Sequence, residues 1–208
     1  MAEAKPAEIR REEILDAAQE LFESKGYEQT STTDIMKKVG IAKGTLYYHF
    51  ASKEEILDAM VERMGDGLIR RARAAASQKE IPVTERLMRV LVALNAGEGS
   101  EKAVVDSLNA PRNELLHEKA RQKVIDEAGP ILSGLVEEAV QAGVCHCAYP
   151  RETVEMILIY ALIAFDGKNT AQWDGQRMDA AVCAFVTNIE RLLGAGEGTF
   201  DFIRSFIV

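Results

Sequence analysis

The sequence predicts an all-α fold, with a three-helix head of helix-turn-helix type followed by a helical-bundle body. Apolar residues recur at helical spacing along nearly the whole chain, and strictly alternating stretches are almost absent. Glycines and cap residues divide the first 68 residues into three short amphipathic segments and one longer one. At 208 residues, 47 % of them apolar, the chain has material for one large domain or for a small and a medium one.

Residues 1–7 read as a disordered leader. The first helix carries Ile14, Ala17, Ala18, Leu21 and Phe22 on one face and stops at Gly26. Thr30, Ser31 and Thr32 offer caps for a second helix with Ile35, Met36 and Val39 inside, and Gly40 permits a tight turn. A third helix runs from about residue 42 to 49. Ser52 and Glu55 then form an S-x-x-E capping box that opens a fourth, at about 52–77, striped by Ile56, Leu57, Met60, Val61, Met64 and Leu68. This helix links a head at 8–53 to a body at 54–208. Further helices are expected around Leu87–Leu94, over 101–109, and over 113–141, where Gly129-Pro130 must kink or break the run. Two long apolar helices follow, at about 150–168, opened by Pro150, and at about 176–194. The tail from Thr199 is apolar enough to pack on the body.

The third helix carries the chemistry. Leu46 and Phe50 lie four apart and face inward, leaving Lys43, Thr45, Tyr47, Tyr48 and His49 on the outer arc. A cation, a hydroxyl, two phenols and an imidazole suit a phosphate-lined groove. Gly44 lets the backbone come close, and Lys53 stands just past the helix. The net charge of −8 is unevenly spread. From Lys25 to Lys53 five lysines oppose Glu28 and Asp34, giving +3 and leaving −11 on the rest. A basic element on an acidic body binds phosphates while resisting non-specific adhesion.

The stretch Gly26-Tyr27, Thr30, Thr32, Ile35, then Val39 to Phe50, then Ser52-Lys53-Glu54 resembles the DNA-binding signature of the TetR family of transcriptional regulators. The resemblance covers nearly all of 8–60. It implies a homodimer on a near-palindromic double-stranded operator, with the third helix in the major groove, repression, and release by a small effector. It also implies DNA contacts from Thr32, Lys43, Gly44, Thr45, Tyr47, Tyr48, His49 and Lys53. One departure is Ala42, where the family usually has a Ser or Thr cap.

In the body, Met60, Met64, Met88, Leu91, Asn95, Leu116, Tyr160, Phe165 and Trp173 are expected to wall a pocket for a small hydrophobic effector, beside the reading that most are plain core. The helices at 150–168 and 176–194 are expected to pair with their copies in a four-helix dimer interface, with Phe185 and Ile189, four apart on the second, facing either the partner or the chain's own core. Cys145, His146 and Cys147 have the donor types of a soft-metal or redox site, but the spacing is narrow and a fourth ligand distant. They stand as weak candidates for a metal- or thiol-responsive variant. No cofactor is expected. No nucleophile elbow, zinc-protease, P-loop or paired-carboxylate motif supports an enzyme. A non-specific architectural DNA protein is disfavoured by the acidic body. With three cysteines, no signal peptide and no apolar run of membrane-spanning length, a cytoplasmic protein is expected.

Overall fold

The computed structural model describes residues 6–95 and 114–207, with the backbone alone at Met64, Glu114, Leu116 and His117. The described elements are α1 (Ala7–Lys25), α2 (Thr32–Val39), α3 (Lys43–His49), α4 (Lys53–Ala76), α5 (Val83–Asn95), α6 (Glu114–Lys123), a π turn (Val124–Ala128), α7 (Gly129–Gln141), α8 (Pro150–Ala164), α9 (Gly167–Thr170), α10 (Gly175–Leu193) and a 3₁₀ tail (Asp201–Phe206). No strand occurs among the described residues. The expected helix at 101–109 lies outside them, as do residues 1–5 of the leader.

The chain forms two compact units, Met1–Gly65 with Glu98–Ala120, and Asp66–Gly97 with Arg121–Val208. The first is larger than the head expected at 8–53. It takes in the first half of α4, and it recruits the start of α6 from far along the sequence.

In the first unit, α1 buries Ile14, Leu15, Ala18 and Phe22, a three-and-four spacing that makes one stripe. Gly26, at φ 88°, ends α1 with its N–H on the Phe22 carbonyl at 2.9 Å. The buried Thr30 hydroxyl donates to the Gly26 carbonyl at 2.8 Å and so fixes the turn into α2. Ser31, rather than Thr30 or Thr32, caps α2. Its hydroxyl accepts the Asp34 N–H at 3.1 Å, and the Asp34 carboxylate accepts the Ser31 N–H at 3.0 Å. Gly40, at φ 75° and ψ 38°, closes α2, and the N–H groups of Gly40 and Ile41 both bond the Met36 carbonyl. Ile35, Leu46, Phe50, Ile56, Leu57 and Met60 complete the core, against which Leu115 of α6 packs.

In the second unit, Val83, Leu87 and Val90 of α5, Leu132, Leu135 and Val136 of α7, Val154 of α8, and Phe185, Ile189 and Leu193 of α10 share one core. Buried Arg86 ties α5 to its neighbours: one arm of its guanidinium donates to the Ala76 carbonyl at the end of α4 at 2.9 Å, and the other pairs with Glu138 of α7. Arg86 and then Lys79 hold the Glu138 carboxyl below its ordinary value. Gly129-Pro130 does not break the helical path. Five residues widen into a π turn, and Pro130 then enters α7 in its first turn. A π turn moves the carbonyls ahead of a proline away from its ring and removes the need for its missing N–H. The tail packs as expected: Phe200 is buried, and its N–H donates to the buried Glu190 carboxylate at 3.1 Å.

Candidate nucleic-acid interface

Helix α3 is fixed from beneath. Leu46 is fully buried and Phe50 nearly so, and the Arg11 guanidinium lies 5.0 Å from the Phe50 ring centre. The opposite face is open. Tyr48 is 78 % and Tyr47 44 % exposed, Lys43 and Gly44 are exposed, and Thr45 and His49 are half-buried at the flanks. Tyr48 and His49 meet edge to face at 5.0 Å, and the Lys43 ammonium lies 5.7 Å from the Tyr47 ring centre. A Cβ built on Gly44 meets nothing within 4 Å, so its surface is bare backbone facing open space. Ala42 stands at the cap position with no side-chain bond to the helix, which leaves the first amides of α3 without the acceptor that Ser or Thr supplies. Thr32, half-buried, is the first residue of α2.

Lys53 differs from the other seven. Its ammonium donates to the Tyr27 carbonyl at 2.8 Å and sits 4.0 Å over the Tyr27 ring. It is a clamp between the start of α4 and the turn after α1, with N–H donors to spare for an outside anion. Tyr27, whose own ring meets Phe22 at 5.1 Å, belongs to the signature stretch, but its pairing with Lys53 is not legible in the sequence, because nothing local links residues 26 apart. The Tyr27 phenol is pushed up from its ordinary value, first by burial and then by Glu54 and Glu28. The Asp34 carboxyl is pulled down to about 2 by its bonds to Ser31, and is then helped by Lys25 at 3.3 Å. The Ser52–Glu55 box forms one residue out of register: Ser52 accepts the Glu55 N–H at 3.1 Å, and the Glu55 carboxylate takes the Ala51 N–H instead of that of Ser52.

Among the described residues, the side chains expected to wall a pocket lie in different surroundings. Met60 is fully buried in the first unit, among the side chains that hold α3, because its stripe on α4 continues that of Ile56 and Leu57. Asn95 is exposed, with its amide toward the Phe206 carbonyl at 3.4 Å, so it brings no polar group to an apolar interior. Met88 and Leu91 are half-buried on α5. The side chains of Met64 and Leu116 lie outside the described residues. Tyr160, Phe165 and Trp173 do come together: Tyr160 stacks on Phe185 at 5.4 Å, Phe165 meets Trp173 at 6.2 Å, and Arg177 covers Trp173 at 5.0 Å.

Beside that cluster runs an open groove of about 550 Å³ on α8, lined by Met156, Ile159, Tyr160 and Ile163, with Glu152 and Glu155 at one end. These four apolar side chains are 40–54 % exposed. Phe185 and Ile189, by contrast, are buried in the chain's own core, so they are not the side chains that face outward. Cys145, His146 and Cys147 enter three surroundings. Cys145 is fully buried, and its thiol is pushed up by burial and then by Cys147. Cys147 meets the Thr153 hydroxyl at 3.3 Å, and His146 is exposed while its backbone N–H donates to the Leu193 carbonyl at 2.8 Å. Their donor atoms do not converge. Among the described residues no helix is long and apolar enough to cross a membrane.

Residues 14–60 match the family model of bacterial regulatory proteins of the tetR family, and residues 98–188 match that of the tetracyclin repressor-like C-terminal domain. A fatty acid metabolism regulator protein of Bacillus subtilis is 30 % identical over 137 residues, which are 63 % of this chain and 68 % of the relative. The chain belongs to the TetR family. Another relative in that family, the HTH-type transcriptional regulator TtgR of Pseudomonas putida, is 27 % identical over 113 residues, and the chain spans about half its length. The TetR fold recurs in the structure of SmeT, described as the repressor of a Stenotrophomonas maltophilia multidrug efflux pump. There, 91 % of this chain superposes on 92 % of that one with a TM-score of 0.64 at 19 % identity.

Proposed function

We propose that this protein is a dimeric transcriptional regulator, acting as a repressor, that reads a near-palindromic operator with α3 and leaves it when a small apolar effector binds the body. The observation that carries the reading is the two-sided character of α3. Leu46 and Phe50 lock it to the core, while Lys43, Gly44, Thr45, Tyr47, Tyr48 and His49 form a convex, uncovered strip of groove-reading types. Thr32 and Lys53 flank that strip as backbone contacts, Lys53 through the donors that Tyr27 leaves unused.

Two copies are needed to reach successive major grooves, about 34 Å apart. The exposed apolar face of α8, with the outer face of α10, is the surface that a second copy covers. A soluble chain rarely leaves Met156, Ile159, Tyr160 and Ile163 open together. An apolar effector fits a body whose half-buried Met88, Leu91, Phe165 and Trp173 offer adaptable and aromatic surface. The names of the relatives, which concern fatty acid metabolism and multidrug efflux, agree with that class.

The test is selection from a random DNA pool by the purified protein, followed by footprinting. The expected result is an inverted repeat with half-sites one helical turn apart or a multiple of it. Recovery of unrelated sequences bound with equal strength refutes specific reading.

A further inference from the structure

Helix α4 opens with Lys53-Glu54-Glu55, and Asp58 follows one turn later. Acidic side chains favour a helix N-terminus, but this one begins four residues after α3 ends. The charge that serves the helix opposes a polyanion at α3. From Lys25 to Lys53 the head carries +3, and Glu54, Glu55 and Asp58 bring that to zero.

A cation from elsewhere in the chain meets two of these carboxylates. The Lys119 ammonium of α6 lies 2.7 Å from Asp58 and 3.3 Å from Glu54, and both bonds hold its pKa above the ordinary value. The same helix inserts Leu115 against the core that supports α3. Tyr27 ties this pair to the binding face. Lys53 stands 4.0 Å over its ring, and its phenol feels Glu54, Lys119 and Asp58 together. Glu54 follows Lys53 directly in α4, so the Lys119–Glu54 pair stands next to the cation that flanks α3.

Resting on the operator-binding reading above, we propose that Lys119 is a positioning residue for DNA binding. By neutralising Glu54 and Asp58 beside Lys53, it keeps the face around α3 attractive to phosphate, and loss of the α6 seat uncovers two negative charges there. The cancelling charge comes from a helix whose next turn belongs to the other unit, where Arg121 holds Asp166 at 3.3 Å.

The experiment measures affinity of the full chain for its selected DNA across a salt series, alongside thermal unfolding. Lys119→Met is expected to lose roughly three- to tenfold at low ionic strength, with the gap closing as salt rises. Lys119→Arg keeps wild-type affinity. The decisive variant adds Glu54→Gln and Asp58→Asn to Lys119→Met. Removing the uncovered carboxylates restores affinity to at least the wild-type level, whereas a purely structural loss is not restored. Glu54→Gln with Asp58→Asn in the wild-type background binds at least as tightly as wild type, a readout that does not depend on how well Lys119→Met folds. Equal binding by wild type and Lys119→Met, or failure of the triple variant to recover, overturns the inference and leaves operator binding standing. A wild-type chain that selects no DNA overturns the reading on which it rests, and the inference with it.

Discussion

Lys53→Met separates two roles that meet in one ammonium. The substitution keeps most of the aliphatic stem and removes the charge. Two interactions are lost, the hydrogen bond to the Tyr27 carbonyl at 2.8 Å and the cation over the ring at 4.0 Å. A hydrogen bond from a charged donor contributes about 1.5–3 kcal/mol, and an exposed to half-buried cation–ring contact about 0.5–1 kcal/mol. Fixing a long side chain costs part of that back, so the net loss expected is about 2 kcal/mol. Urea unfolding followed by far-ultraviolet circular dichroism measures it as a lower midpoint at unchanged slope. Operator affinity is then titrated against salt. If Lys53 also meets a phosphate, the slope of log affinity on log salt falls by about one. If it acts on Tyr27 alone, affinity falls at constant slope. An unchanged urea midpoint refutes the clamp, whatever happens to DNA binding.

Lys43→Ala is expected to lower the salt slope by about one with little change in unfolding, because its ammonium lies over the exposed Tyr47 ring at 5.7 Å from the ring centre; an unchanged slope in the salt titration counts against a phosphate contact. Asp34, whose carboxyl is lowered from 3.8 to about 2, contributes stability that is complete above pH 4 and fades as pH falls through 2. Comparing urea midpoints of wild type and Asp34→Asn from pH 5 to about 2 therefore shows a gap that narrows toward the acid end, and a constant gap refutes the assignment. Ile159→Glu with Ile163→Glu places charges on the uncovered face of α8 and is expected to give folded monomers in sedimentation, whereas Phe185→Glu is expected to unfold the body. A folded dimer from the α8 variant removes that face from the interface.

The parts legible in the sequence were those that depend on near neighbours. The four-residue step from Leu46 to Phe50 orients α3, the left-handed Gly40 sets the turn before it, and Pro150 starts α8. What escaped were choices between equivalent faces and contacts between distant residues. The apolar stripes of α8 and α10 are too broad for spacing to tell own core from outer surface, so the sequence leaves Phe185 and Ile189 open between the two; they are buried, while Met156, Ile159 and Ile163 lie exposed. Met60 read as a lining residue because a methionine stripe looks alike in a core and in a pocket. Gly129-Pro130 signalled an interruption correctly, but only the backbone shows that a wider turn absorbs it. The partners of Lys53 and Lys119 come from other helices and leave no mark in local sequence.

The recruitment of α6 into the first unit has a consequence for the order of events at the ribosome. The segment through Gly65 emerges with its stripes of Ile14, Leu46 and Leu57 ready to cluster, but Leu115 and Lys119 are still unmade. At about 5–20 residues per second, the interval from Gly65 to Ala120 lasts roughly three to eleven seconds. During that time the nascent head lacks the apolar cover that Leu115 supplies, and the carboxylates of Glu54 and Asp58 lack their counter-charge. Long-range closure of this kind slows the last step of assembly. Helix α3 is thus synthesised well before its support, which is complete only once the chain has reached Ala120.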